Sequence, residues 1–85
     1  MNYKILVYKK TFIETKTKRG ISKKLYFEKV YTEHNIHKTM LSKAMIKLQT
    51  RYIGYHMEML HENESEDDTI ACKYNRRIKK AYLVT

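Results

Sequence analysis

Apolar and polar positions alternate along the first third of the chain, in two runs separated by a short polar segment. The apolar positions of one parity are Tyr3, Ile5, Val7 and Ile13 in the first run, and Ile21, Leu25, Phe27 and Tyr31 in the second. Both runs are rich in β-branched and aromatic residues, which suit a pleated sheet. Gly20, which tolerates the positive φ of a hairpin loop, lies between them. The pattern predicts a β-hairpin over residues 3–32.

The first run is also apolar on its other parity, at Leu6, Tyr8 and Phe12. A strand with one face in water carries apolar residues mainly on its other face. Two explanations therefore stay open for this run. It contains a β-bulge that shifts the parity, or it is a strand covered on both sides.

Residues 36–61 have a different period. A helical period places nine apolar residues within an arc of about 180°: Ile36, Met40, Leu41, Ala44, Met45, Leu48, Tyr52, Tyr55 and Met59. This arc is wide enough to cover a sheet, and Asn35 can serve as the N-cap. The segment therefore predicts one long helix over residues 36–61. Gly54 inside it costs about 0.8–1 kcal/mol relative to alanine and marks a kink or a close contact.

A second stripe on this predicted helix falls outside that arc. It consists of Ile46, Thr50, Ile53, Met57 and Leu60, at spacings of four and three. Such spacings form a short heptad seam on a helix. A single helix packed on a single sheet would leave the seam in water, so the sequence predicts a protein interface here. A homodimer through this second helix face is the expected arrangement.

Alternation returns after an acidic loop, residues 62–68. Ile70, Cys72, Tyr74 and Ile78 share one parity, which predicts β-structure over residues 69–84, as one strand or as a hairpin. The expected fold is a single small basic domain, residues 1–85, of the α+β class. Its two layers are an antiparallel sheet, made of the N-terminal β-hairpin plus a C-terminal strand or hairpin, and one long helix, in the order β-β-α-β(-β).

The chain contains 18 Lys and Arg against 9 Asp and Glu, a formal net charge of +9. The positive charge is concentrated before residue 33 and after residue 68, with tyrosines interspersed. Cations neutralise phosphates, and tyrosine rings stack on bases. If the two basic segments converge on one sheet surface, this composition predicts an interface with nucleic acid, either DNA or RNA. The expected contact residues are Lys9, Lys10, Lys16, Lys18, Arg19, Lys23, Lys24, Tyr26, Tyr74, Arg76, Arg77, Lys79 and Lys80.

Other candidate chemistry is weaker. The acidic loop lacks the spacing and the glycine of a calcium loop, so a solvated linker is the main expectation for it; the alternative is that it folds over the basic sheet and competes with phosphate. His34 and His37, three residues apart, could face one ligand, but no zinc motif or catalytic arrangement accompanies them. Cys72 is expected to be a small buried residue rather than a nucleophile. We therefore expect no metal, no cofactor and no enzymatic activity.

A second class of function stays open. A small protein of phage or mobile-element type could bind and modulate an acidic host protein, through the same basic surface or through the exposed helix stripe. The chain has no apolar run near the roughly 18–20 residues of a membrane span, and its N-terminus lacks the pattern of a signal peptide. With one cysteine, it is typical of a reducing compartment. The expectation is a cytoplasmic protein that does not associate with membranes.

Overall fold

Within the described part of the chain, three antiparallel strands form one sheet and two α-helices pack against it. The computed structural model describes the main chain of residues 1–83 and the side chains of residues 1–80. The elements are β1 (Asn2–Thr17), β2 (Gly20–His37), α1 (Leu41–Arg51), β3 (His56–His61) and α2 (Ile70–Leu83). β1 is the central strand, between β2 and β3. The predicted α+β class, the antiparallel sheet and the order β-β-α-β are confirmed.

The N-terminal hairpin is confirmed and is longer than predicted. β1 and β2 pair along their whole length, from Asn2 opposite His37 to Thr17 opposite Gly20. Gly20 has a φ of 127°, as the turn requires. β2 has 18 residues against 16 in β1. Two shifts of register absorb the extra residues, and Asn35, with a φ of 57°, lies at one of them.

β1 is buried on both faces, so the second of the two explanations for its apolar pattern is the right one. The core cluster on the α1 side consists of Ile5, Val7, Ile36 and Leu48. The cluster on the α2 side consists of Leu6, Tyr8, Phe27 and Ala71. Alternate residues of one strand point to opposite faces, so a strand between two helices is apolar at successive positions. The register shifts lie beside β1 but are not the cause of this pattern.

The prediction of one helix over residues 36–61 is wrong. The helix α1 has 11 residues, and the chain turns after Tyr52. Gly54 adopts a φ of +82°, which a right-handed helix does not contain. Residues 56–61 then pair with Tyr3–Tyr8 of β1 as the third strand. Pairing is favoured because it satisfies the main-chain groups on the otherwise open edge of the buried strand.

The prediction of strands over residues 69–84 is also wrong. Residues 70–83 form α2, and residue 84 lies outside the described residues. Ala71 and Ile78 are buried, a separation of seven residues that returns to the same face of a helix. The hydroxyl of Thr69 accepts a hydrogen bond from the Cys72 N–H at 3.1 Å, as an N-cap does. The structure thus has a strand at residues 56–61, where the pattern predicts a helix, and a helix at residues 70–83, where the pattern predicts strands.

The helix α2 crosses the sheet from one edge to the other. Its first N–H groups, from Ile70 and Ala71, donate to the Glu58 carboxylate of β3 at 2.7 and 3.0 Å. The preceding Thr69 lies 3.2 Å from the Tyr8 hydroxyl of β1. One and a half turns later, the Asn75 side chain of α2 contacts the Phe27 main chain of β2. The helix is therefore bound to all three strands within its first six residues.

Candidate nucleic-acid interface

The outer half of the hairpin projects beyond the rest of the sheet. β3 pairs with β1 only between Tyr3 and Tyr8, so from Lys9 outward β1 and β2 continue as a two-stranded ribbon. We call residues 9–28 the arm. Seven of its side chains are Lys or Arg and two are Glu. The seven are all predicted contact residues: Lys9, Lys10, Lys16, Lys18, Arg19, Lys23 and Lys24.

The pairing register assigns the residues of the arm to two faces, because directly opposed residues of a pair share a face. The face that continues the α1 side of the sheet contains five hydroxyl-bearing residues, and we call it the hydroxyl face: Thr11, Thr15, Thr17, Ser22 and Tyr26. Lys9, Glu28, Lys24 and Ile13 lie on the same face. The opposite face is mixed, with these opposed pairs: Lys10 and Phe27, Phe12 and Leu25, Glu14 and Lys23, Lys16 and Ile21.

The exposed side of α2 forms a second group of cations, which we call the cationic helix face. Among the residues with described side chains, those lining a shallow cavity of about 330 Å³ are Lys73, Arg76, Arg77 and Lys80. Their spacing of three, four and seven residues places them on one side of a helix. Like charges at such spacings destabilise an isolated helix by a few tenths of a kcal/mol per pair. A bound polyanion would remove this repulsion.

The helix α2 is attached to the sheet at the base of the arm, so its cations are nearer to that end than to the tip. Asn75 of α2 contacts the main chain of Phe27, which is opposite Lys10 in the register. The cationic helix face therefore lies near the point where the arm leaves the sheet. Lys18 and Arg19, in the turn, are eight or nine residues farther along the ribbon, which is about 25 Å. The predicted basic residues thus extend along the arm and do not gather at one spot.

Lys73 belongs to the cationic helix face, although it is absent from the predicted contact residues. Its spacing of three, four and seven residues from Arg76, Arg77 and Lys80 would have indicated a shared face, but only if the segment is predicted to be a helix. Lys79, which was predicted, lies on a different side of α2 from Lys73 and Arg77, and it lines a smaller cavity together with Asp67 and Arg76. The error in secondary structure therefore caused both the omission of Lys73 and the grouping of Lys79 with its neighbours.

The tyrosines with described side chains differ in exposure: Tyr8 is buried, whereas Tyr55 and Tyr74 are 37% and 38% exposed. Burial raises the pKa of the Tyr8 hydroxyl above its ordinary value. The Tyr74 ring packs edge-on against Phe27, and the Tyr31 ring stacks on Tyr52 at 5.6 Å between centroids. Tyr26 lies on the arm. Phe12 on the arm is 66% exposed, so that it and Tyr74 are accessible aromatic rings, of the kind on which bases stack.

The predicted helix stripe does not exist as one surface. Ile46 and Thr50 lie on α1, and Ile53 lies in the turn after it. Met57 and Leu60 lie on β3, where Met57 packs against the core cluster under α1 and Leu60 against the cluster under α2. The stripe depended on a helix that continues to residue 61. Without that continuous helix, the stripe no longer supports the prediction of a dimer through this face.

The acidic loop has a structural role. Glu62 accepts a hydrogen bond from the Asn35 N–H at 3.0 Å and lies 2.8 Å from His34 Nδ1. Those two contacts lower the pKa of Glu62, the Asn35 bond more than the His34 bond. Glu66 forms an ion pair with Lys29 at 2.6 Å. The loop is therefore attached to β2 by Glu62 and Glu66, whereas Asn63, Ser65, Asp67 and Asp68 are exposed to solvent.

The histidines do not converge on a ligand. His34 is paired with Glu62, whereas His37 Nδ1 accepts the Thr39 N–H at 3.3 Å. Among the described side chains, no group of three or more His, Cys, Asp or Glu residues could hold a metal ion. Within residues 1–83, neither helix has the length and apolar character needed to cross a membrane.

Comparison with known proteins adds no relative. No protein-family model matches the chain, and no curated protein or solved structure matches it either. Its function is therefore inferred from the charge and geometry of its own residues.

Proposed function

We propose that this protein binds nucleic acid without catalysing a reaction, through the arm and the cationic helix face. The observation that carries the proposal is the separation of charges in the fold. Six of the nine acidic residues lie in β3 and the acidic loop, and four of these make contacts within the fold: Glu58, Glu62, Glu64 and Glu66. The arm and α2 are left with a large excess of cations.

The shape of this positive surface favours a long anion over a compact one. Its cations extend over a ribbon of about 30 Å and continue on α2, rather than surrounding one enclosed cavity. Regularly spaced phosphates match such a distribution, and the release of their counterions supplies the driving force. An acidic protein could also bind these cations, and it is the alternative partner.

The test is the salt dependence of binding. Fluorescence anisotropy would measure affinity for labelled duplex DNA, single-stranded DNA and RNA between about 50 and 300 mM salt. If about 4–6 phosphates are neutralised, log K plotted against log salt has a slope near −4 to −5 on duplex DNA. A slope near zero on duplex and single strands alike would reject the proposal.

Paired variants locate the contact. Arg76→Ala with Arg77→Ala should weaken binding and make the slope less negative by about 2. The control is Lys43→Ala with Lys47→Ala, which removes the same charge from α1 and should leave the slope nearly unchanged. Capture of one stoichiometric acidic protein from a nuclease-treated lysate, together with no nucleic-acid binding, would favour the alternative.

A further inference from the structure

The face of the arm on the α2 side of the sheet exposes large apolar side chains. We call it the mixed face, and its opposed pairs are Lys10 and Phe27, Phe12 and Leu25, Glu14 and Lys23, Lys16 and Ile21. At its base, Phe27 and Leu25 pack in the cluster under α2. Farther out, Phe12 and Ile21 are 66% and 64% exposed. The third strand does not reach them, because β3 pairs with β1 only as far as Tyr8.

Lysines lie beside these apolar residues on the same face. Lys10 is two residues from Phe12 along β1, and Lys16 is directly opposite Ile21. Lys23 is 3.8 Å from the carboxylate of Glu14, but both side chains are largely exposed, and such a surface pair contributes little. The mixed face therefore has three lysines against one glutamate, whereas the hydroxyl face has two lysines against one glutamate.

The helix α2 adds an aromatic ring and further cations at the base of this face. The Tyr74 ring packs edge-on against Phe27, with 5.6 Å between centroids. Tyr74 also lines a shallow cavity of about 210 Å³ with Ile70, Lys73 and Arg77. The spacing of these four residues places them on one side of a helix. Lys73 and Arg77 therefore lie on the side of α2 that contacts the arm, and a ligand on the mixed face can reach them.

Rings and cations follow one another from α2 towards the tip of the arm. The pair of Phe12 and Leu25 is two residues outward from Phe27, which is about 7 Å. The pair of Lys16 and Ile21 is four residues farther, which is about 13 Å. Such a surface suits a long ligand that carries flat apolar groups and negative charges along its length.

Single-stranded nucleic acid has this chemistry, because its bases stack on aromatic side chains while its phosphates bind cations. A duplex offers its phosphates but covers its base faces, so that Phe12 could reach a base face only by unstacking neighbouring bases, which costs free energy. We infer that the mixed face and the adjoining side of α2 bind single-stranded nucleic acid, with a base stacked on Phe12. This inference rests on the proposed function and adds to it the class of nucleic acid and the residue that contacts a base.

The experiment compares labelled ligands of equal length by fluorescence anisotropy. They are a thymine DNA strand, a uracil RNA strand, a DNA duplex, and an abasic DNA strand that keeps the phosphates and lacks the bases. We expect the thymine or the uracil strand, whichever binds more tightly, to exceed the duplex and the abasic strand by at least about fivefold. One contact between a base and an aromatic ring supplies about this factor at the low end of its range.

Replacement of Phe12 tests the stacking contact. Phe12→Leu keeps an apolar side chain at an exposed position and removes the ring. We expect it to weaken binding of the strand with bases by about fivefold, with the affinity for the abasic strand and the salt slope unchanged, because no charge is lost. The control is Ile46→Ala, which truncates an exposed apolar residue on α1 and should change neither affinity. Circular dichroism checks the fold of both variants.

A second measurement does not depend on affinity. The chain contains no tryptophan, so Phe12→Trp places a single indole at this position. A base stacked on the indole quenches its fluorescence. At saturating concentrations, we expect quenching by the strand with bases and none by the abasic strand.

The outcomes separate this inference from the proposed function. Salt-dependent binding in which the duplex or the abasic strand equals the strands with bases would overturn the inference and leave the proposed function standing. A preference for single strands that is unchanged in Phe12→Leu, with no quenching in Phe12→Trp, would overturn the role of Phe12. Absence of binding to every nucleic acid would overturn both.

Discussion

Asn75 of α2 holds both main-chain groups of Phe27 in the edge strand β2. The Asn75 side-chain oxygen accepts the Phe27 N–H at 3.0 Å, and its nitrogen donates to the Phe27 carbonyl at 2.6 Å. One carboxamide thus replaces the neighbouring strand that an edge residue lacks. The contact attaches the cationic helix face to the base of the arm, and it prevents another strand from pairing at Phe27.

Replacement of Asn75 should therefore destabilise the fold. In Asn75→Ala, the Phe27 N–H and carbonyl lose their partners in a partly buried position, which costs about 1–3 kcal/mol in the free energy of unfolding. Urea denaturation followed by circular dichroism would measure the loss. The matched control is Lys79→Ala, an exposed position on the same helix, which should change stability by less than about 0.5 kcal/mol. Equal stability of the two variants would mean that the Asn75 contact does not hold α2.

Glu58 should stabilise α2 from outside the helix. Its carboxylate accepts hydrogen bonds from the Ile70 and Ala71 N–H groups and lies 2.9 Å from His56 Nε2. A carboxylate at a helix N-terminus satisfies free N–H groups and interacts favourably with the helix dipole. We expect Glu58→Ala to lower the free energy of unfolding by about 1–2 kcal/mol, and Glu58→Gln to lower it less.

The control for this prediction is Glu28→Ala, which removes an exposed carboxylate from β2. Both variants lose one negative charge, so a difference between them reports the contact with α2. Far-ultraviolet circular dichroism would also show less helix in Glu58→Ala. If the helical signal and the stability match those of Glu28→Ala, the capping role of Glu58 is wrong.

Glu62 should make stability depend on pH. The hydrogen bond from the Asn35 N–H, and then that with His34, hold the pKa of Glu62 below its ordinary value of 4.5. A carboxyl group with a lowered pKa in the folded state stabilises the fold above its ordinary pKa. That stabilisation is lost as the pH falls through the folded-state pKa. The stability difference between the unmodified protein and Glu62→Gln should therefore be constant above about pH 5.5 and shrink below pH 4.5.

Urea midpoints measured from pH 7 to pH 3 would test this dependence on Glu62. The control is Asp68→Asn, which removes a carboxylate from the same loop and leaves the Asn35 contact in place. A difference between Glu62→Gln and the unmodified protein that does not change with pH would contradict the assignment.

The tip of the arm should contribute phosphate contacts that are independent of α2. Lys18→Ala with Arg19→Ala should weaken binding to all duplexes alike and make the salt slope less negative by about 2, because each lost phosphate contact changes it by about 1. Fluorescence anisotropy at several salt concentrations measures both effects. The double variant on α1, Lys43→Ala with Lys47→Ala, again serves as the control. If the tip variant has the same slope as this control, the tip lies outside the interface.

The hairpin could be predicted from local features alone. Alternation, β-branched residues and Gly20 at the turn all act within a few residues of each other, and each favours the same structure. The apolar residues on both parities of β1 also allowed the correct interpretation, which is a strand covered on both faces. What the sequence pattern did not contain was the identity of the covering elements.

The exchange of strand and helix in the second half has a physical reason. Residues 56–61 match a helical period and a strand period about equally well, because Met57, Met59 and Leu60 offer apolar side chains to both. Pairing with β1 decides between them, and β1 is distant in sequence. Residues 70–83 are ambiguous in the same way, and Glu58 of β3 decides in favour of the helix by accepting its first N–H groups.

The sequence by itself determined the hairpin, the α+β class and the concentration of cations at both ends of the chain. Only the tertiary structure decided how those cations are arranged, because the spacing of Lys73, Arg76, Arg77 and Lys80 acquires its meaning when the segment becomes a helix. Likewise, the arm becomes a free ribbon only because β3 stops pairing at Tyr8. Long-range pairing sets that limit, and no local pattern contains it.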